Sequence, residues 1–194
     1  MKDKKRFEIL CKNLKPKRIT HTEGVMEYAV MLAEIYGVDE KRARRAAMLH
    51  DCAKYVSTED KIKLCNEHNI EVTNIEKNNP ELLHAKVGAI LAKEIYEVDD
   101  EEILSAITYH TTGKPDMTML EKIIFVSDYL EKGRTHSPRL DEYREVSKVN
   151  LDKCVALILE ETCIYLKERE NNQLKAIDPM TKMSYEYYKI HLND

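Results

Sequence analysis

Apolar side chains recur through this sequence at the spacing of an α-helix, and few residues stand in the way of long helices. Phe7, Leu10, Cys11 and Leu14 follow the i, i+3, i+4, i+7 rule, and so do Ile103, Ala106, Ile107 and His110. Only 5 Gly and 5 Pro occur in 194 residues, too few for a β-rich fold with its many turns. The expectation is an all-α fold, and a chain of this length forms one domain able to bury a substantial core.

The helices can be bounded from their ends. The first stops near Pro16. The second opens either with Pro16 as its first-turn residue or at a Thr20–Glu23 capping box, and Gly37 ends it. Its inner stripe is His21, Val25, Tyr28, Leu32 and Tyr36. Asp39 caps a third helix that runs into His50-Asp51, and Ser57 and Asp60 open a fourth. The polar stretch from there through Asn78 reads as loop, with room for a short helical turn. Asn79-Pro80 is a cap and first-turn proline for a fifth helix, whose inner face holds His84, Gly88, Leu91 and Ile95. Asp99 or Asp100 caps a sixth that ends in His110. Thr118 and Glu121 box a seventh, which carries Leu120, Ile124 and Asp128 one turn apart and is closed by Gly133. Residues 134–142 read as loop, 149–168 as a long amphipathic helix, and Tyr185 to Ile190 as a short final one.

Composition excludes several classes. A net charge of −4 and a pI near 6.0 give no basic footprint for nucleic acid. A phosphate-bearing ligand must then be held by local charges or a metal. Five cysteines without a CxxC pair indicate neither a disulfide framework nor a thiolate zinc site. No stretch approaches the ~20 apolar residues of a membrane span, and the opening MKDKKRFEIL lacks the apolar run of a signal peptide. A cytoplasmic protein without a membrane partner is expected, and a second copy of the chain is left open as a partner.

What does not fit a plain helical core is a set of polar residues on apolar faces. His50-Asp51 ends a run of small residues, Ala43, Ala46, Ala47, Met48 and Leu49, and burying such a pair is costly unless something satisfies it. His21, His84, His110 and Asp128 stand near helix ends elsewhere. Each histidine taken singly reads as a core residue with a satisfied hydrogen bond. Taken together with Asp128 on a helix apolar nearly all round, they would need several independent buried polar networks. One metal centre explains all of them. Mixed imidazole and carboxylate donors without thiolate suit iron, manganese, zinc or cobalt, and such a metal activates water and polarises a phosphoryl oxygen. His21, His50, Asp51 and Asp128 form one ligand set. His84 and His110 either hold a second ion with Asp51 bridging or donate to substrate phosphates beside a single ion, the arrangement preferred here. Arg18, one turn before His21, with Lys54 and Arg134, adds cationic reach for phosphate, although both Lys54 and Arg134 could equally be cations at helix C-termini. The run Lys41, Arg42, Arg44, Arg45 reads as a solvated face, Thr111-Thr112 as a polar helix exit, and His68, His136 and His191 as surface residues.

The order H…HD…H…H…D resembles that of the HD superfamily of metal-dependent phosphohydrolases. The strings Arg18-Ile-Thr-His21, His50-Asp51-Cys-Ala-Lys54, Asn79-Pro-Glu-Leu-Leu-His84, His110-Thr-Thr-Gly113 and Asp128-Tyr-Leu-Glu-Lys-Gly-Arg134 look like the bacterial branch that hydrolyses diadenosine tetraphosphate symmetrically. The likeness spans about residues 7 to 190. It implies an HD-type helical bundle with a core at about 17–135 and C-terminal helices at 140–194 completing the nucleotide site. It implies cleavage to two ADP, with iron as the metal. The ligands carried over are His21, His50, Asp51 and Asp128, with Asp51 and Lys54 catalytic. Arg18, Lys54, His84, His110 and Arg134 would face the phosphates, while Asn172, Gln173 and Lys175 would hold the nucleoside. The branch has also been labelled as involved in NAD metabolism, but the sequence has no GxGxxG fingerprint. The rival expectations are a nucleotide 5′-phosphatase or phosphodiesterase on the same fold, and a nucleotide-binding regulator without turnover.

Overall fold

Pro16 decides where the second helix begins. In the computed structural model, which describes residues 1–171 and 177–194, helix α2 spans Pro16–Tyr36 behind a first helix α1, Asp3–Asn13. Proline's fixed φ and missing N–H suit the first turn. The Thr20 hydroxyl donates back to the Pro16 carbonyl (3.3 Å) instead of capping. Gly37 ends α2 in the left-handed region (φ 68°), where its N–H reaches the Ala33 carbonyl. The remaining helices are α3 (Glu40–Leu49), α4 (Thr58–Glu67), α5 (Asn74–Asn78), α6 (Leu83–Glu94), α7 (Glu101–Tyr109), α8 (Met119–Leu130), α9 (Leu140–Val149), α10 (Leu151–Asn171) and α11 (Pro179–Tyr188). No strand occurs among the described residues, and the helices form one all-α domain.

The expected caps satisfy the N–H groups that every first turn leaves orphaned. Asp39 accepts from the Arg42 N–H at 2.9 Å, Ser57 from Asp60 at 3.1 Å, and Asp100, rather than Asp99, from Glu102 and Ile103. Thr118 and Glu121 form a reciprocal box on α8.

Several boundaries differ from the sequence reading, the last helix among them: α11 starts at Pro179 behind an Asp178 cap, not at Tyr185. The stretch before Asn78 contains α5, opened by a Thr73–Glu76 capping box that a five-residue helix is too short to announce by periodicity. Asn79 makes no side-chain cap; Pro80–Leu82 is a 3₁₀ turn, so α6 starts at Leu83. Ile95 then lies past the end of α6 and is 41% exposed, not on the inner face. Residues from Leu140 belong to α9, whose buried face is Leu140, Tyr143 and Ser147. Two of those three are polar, which hid the stripe. Their polar atoms are partly absorbed by neighbours, the Ser147 hydroxyl lying 2.9 Å from the Tyr28 hydroxyl. Finally, α8 ends at Leu130 and not at Gly133, because Glu131 turns to extended backbone (ψ 152°).

Helices α2, α3, α7 and α8 pack on one another at the centre, with α6 against α7 and the α9–α10–α11 layer laid on α8 and α2. Leu32, Leu49, Ile103, Ile107, Leu120 and Ile124 are all but solvent-free, each contributing roughly 1.5–3 kcal/mol of burial. Ala43, Ala46 and Ala47, fully buried, keep the α3 surface thin enough for its neighbours to approach. The basic run on α3 is not simply solvated. Arg42 forks onto Asp100 at the α7 cap (2.7 Å twice), and Arg45 binds Asp3 of α1.

Candidate metal centre

Five helix ends meet at one point. His21 lies in the second turn of α2, His50 at the C-cap of α3, His84 in the first turn of α6, His110 at the C-cap of α7, and Asp128 in the last turn of α8. Gly88 lets α6 approach closely. A Cβ there would lie 3.2 Å from Ile107 Cγ2 and 3.5 Å from the His50 carbonyl oxygen.

The orientation of the rings follows from local hydrogen bonds. His50 Nδ1 bonds the Ala47 carbonyl (2.6 Å), His110 Nδ1 the Ile107 carbonyl (2.7 Å), and His84 Nδ1 the Glu81 carbonyl. Each partner is three residues back, at a helix end where a carbonyl is available. A carbonyl only accepts, so Nδ1 carries the proton and Nε2 is left with a lone pair. His21 Nδ1 is likewise engaged, 3.1 Å from Glu131 Oε1. The four Nε2 atoms gather as two pairs. His21 and His50 Nε2 are 3.3 Å apart, His84 and His110 Nε2 3.1 Å, and carboxylate oxygens fill the space between the pairs. Asp51 Oδ2 lies 3.6 Å from His50 Nε2 and 4.0 Å from His21 Nε2, while its Oδ1 lies 3.2 Å from His84 and 3.6 Å from His110. Asp128 Oδ1 is 3.1 Å from His21 and 3.8 Å from His50.

The protonation states suit a cation. Burial drives His50 down to about 4, and it also lowers His84. Burial opposes the charge on His21 too, but the bond to Asp128 outweighs it and holds His21 above its ordinary value. Burial alone would raise both carboxylates. The facing rings nonetheless hold Asp51 well below the usual range, and the rings with Arg134 do the same for Asp128. His21 shares a proton with Asp128, whereas the Nε2 atoms of His50, His84 and His110, whose Nδ1 atoms are taken by carbonyls, face the Asp51 carboxylate. That donor set is compatible with a divalent cation. His21, His50 and Asp51 fit one ion, and Asp51, His84 and His110 are also close enough to share one.

The expected cations are present but engaged. Arg18 Nη1 lies 2.6 Å from Asp51 Oδ2, and Arg134 Nε donates to the Asp128 carbonyl at 2.9 Å. Lys54 Nζ sits 3.6 Å from Glu81 Oε2. Asn172, Gln173 and Lys175 lie outside the described residues. Three participants went unassigned in the sequence. Glu131 is buried, orients His21 and accepts from the Gly133 N–H; its signal was the spacing three residues after Asp128. Glu81 holds His84 through its carbonyl and reaches both Lys54 and the buried Lys61 through its side chain. Thr111 is more than a polar exit, its hydroxyl lying 3.2 Å from His110 Nε2 and 3.4 Å from His84 Nε2.

A family model described as HD domain matches residues 18–133, a span that holds all of these donors. The chain belongs to the HD domain family. Among its relatives, proteins named bis(5′-nucleosyl)-tetraphosphatase, symmetrical, from Bacillus subtilis and Halalkalibacterium halodurans are 38% and 37% identical. The matches cover 88% of this chain and 88% of the first, and 85% of this chain and 87% of the second. A crystal structure from Clostridium acetobutylicum, described as a predicted HD superfamily hydrolase involved in NAD metabolism, superposes with a TM-score of 0.91 at 36% identity over 97% of both chains.

Beside the HD centre opens a cavity of about 480 Å³. Leu82, Tyr129, Tyr165 and Leu166 give it apolar walls, and Thr111 links it to the centre. His136, read as a surface residue, is exposed but packs edge-on against Tyr129 (4.5 Å) at the cavity rim.

Proposed function

We propose that this chain is a metal-dependent hydrolase that cleaves diadenosine tetraphosphate at its centre to give two ADP. The observation that carries the chemistry is the gathering of four imidazole Nε2 atoms around two ionised carboxylates, each Nδ1 being already engaged. The names of the bacterial relatives at 38% and 37% identity supply the substrate.

In this reading His21, His50, Asp51 and Asp128 hold the metal. The second oxygen of Asp51, facing His84 and His110, supports a second position more than the single-ion arrangement preferred from sequence. A divalent ion bound there supplies a Lewis acid and a water of lowered pKa; iron is the metal favoured, with manganese, cobalt and zinc as alternatives. Asp51 accepts or orients the proton of the attacking water. Lys54, Arg18 and Arg134, the last two sharing their forks between carboxylate and phosphate, take up charge developing on the phosphoryl oxygens. His84 and His110, where they do not bind an ion, donate to the phosphates. One water enters and one phosphoanhydride bond breaks between the second and third phosphorus atoms. ADP leaves as a stable anion needing little help from a general acid. The core at 17–135 carries this chemistry and helices from 140 to 194 complete the nucleotide site. The apolar cavity, walled partly by Tyr165 and Leu166 of α10, has the size and character of a nucleoside pocket. Asn172, Gln173 and Lys175 keep the nucleoside role that the resemblance implies.

The test is elemental analysis of anaerobically purified protein, paired with product identification on diadenosine tetraphosphate, mononucleotides and cyclic dinucleotides. Stoichiometric iron and ADP as sole product are expected. Turnover of AMP with the dinucleotide left intact, or tight nucleotide binding without product at any metal loading, would overturn the reading.

A further inference from the structure

A second groove, of about 470 Å³, reaches the HD centre at His21, whereas the apolar cavity meets it at Thr111, beside His84 and His110. The groove is also lined by Lys15, Lys17, Arg18, Arg134 and His136. His136 lines both this groove and the apolar cavity, so the two spaces, nearly equal in volume, flank the centre and meet at one side chain. A substrate made of two identical halves, cut between them, needs two such spaces.

The two are chemically unlike. The first has leucine and tyrosine side chains on which a base can pack. The second is lined by no aliphatic, phenyl, phenol or indole side chain beyond the stems of its cations. Its one carboxylate, Glu131, is turned to His21. Of its four lysine and arginine side chains, Arg18 and Arg134 are drawn onto Asp51 and Asp128. Lys15 and Lys17 are exposed and have no ion-pair partner among the described residues. They stand at the start of α2, within two turns of His21. Charge is what this groove offers a ligand.

Resting on the proposed function, we infer that the substrate's two halves are held by different means: one nucleoside in the apolar cavity, and the other half along the groove by its phosphates, on Lys15 and Lys17, with its base left unread. The activity then extends to substrates whose second half carries phosphates and no nucleoside. Adenosine 5′-tetraphosphate plus water would give ADP and pyrophosphate, as diadenosine tetraphosphate plus water gives two ADP, the same anhydride bond breaking in each.

Steady-state kinetics on both substrates, with wild type and Lys15→Glu/Lys17→Glu, test this, alongside calorimetric binding of tripolyphosphate and of adenosine. Wild type should cleave both substrates with comparable kcat/KM. The double variant should raise KM for both by roughly tenfold, the scale of two exposed charge pairs, with the change falling on KM rather than kcat. It should bind tripolyphosphate more weakly and adenosine as wild type does. A wild type that cleaves the dinucleotide but not adenosine 5′-tetraphosphate overturns the inference, because the base is then read. Unchanged KM and tripolyphosphate binding in the variant overturn it as well. A wild type that cleaves neither substrate overturns the proposed function, and this inference with it.

Discussion

At the scale of single residues, the centre depends on what holds each ring as much as on the donors. Asp128→Ala should remove metal and hydrolysis together while circular dichroism stays helical; retained metal would count against Asp128 as a ligand. Glu131 is the sharper test, because it lies behind His21 and not among the converging donors. Partners of this kind typically alter metal affinity by about 10–100-fold, and Glu131→Gln should do so in a metal-competition titration. Gly24→Ala reaches the same carboxylate from behind. A Cβ at Gly24 would lie 2.5 Å from Glu131 Oε2, so the carboxylate must swing away from His21. Metal affinity should fall with little change in the Tm of the metal-free protein, and an unaltered titration curve would refute the orienting role.

At the scale of elements, short-range caps place the donors. The Thr118–Glu121 box starts α8, the helix that delivers Asp128. Thr118→Ala should cost about 1 kcal/mol, read as a lower urea midpoint with unchanged slope. Asp100 has two duties, capping α7 and receiving the Arg42 fork. Hydrogen bonding to Arg42, the largest influence, outweighs burial and holds its carboxyl below the ordinary value. The folded state thus favours the ionised form. The stability this lends is complete above the ordinary carboxylate range near 4 and is lost as pH falls through the folded value. Urea midpoints measured from pH 6 down to 3 should decline less steeply in Asp100→Asn than in wild type; parallel declines would remove Asp100 from the acid response.

At the scale of the whole molecule, helices α2, α3, α6, α7 and α8 each contribute a donor to one cluster. Metal binding is then coupled to packing among all five. A ligand that binds only the folded state raises stability with its concentration, so chelation should lower Tm and re-addition restore it in a dose-dependent way. A Tm indifferent to metal would mean that the centre is held by the scaffold alone. No helix among the described residues is long and apolar enough to cross a membrane.

The sequence by itself determined the helical class and most helix ends, since these rest on periodicity, proline, glycine and capping side chains acting within a few residues. It also marked His21, His50, Asp51, His84, His110 and Asp128, because polar groups on apolar faces are conspicuous wherever the chain later places them. Helix α9 was not legible, its inner face being Tyr143 and Ser147, nor was the early end of α8 at Glu131. Only the tertiary structure decided that two pairs of rings turn their Nε2 atoms to the Asp51 carboxylate, that Glu131 stands behind His21, and that the two spaces beside the centre differ in character. Those facts depend on distances between residues far apart in the chain, such as 110 positions from His21 to Glu131, and no local pattern encodes them.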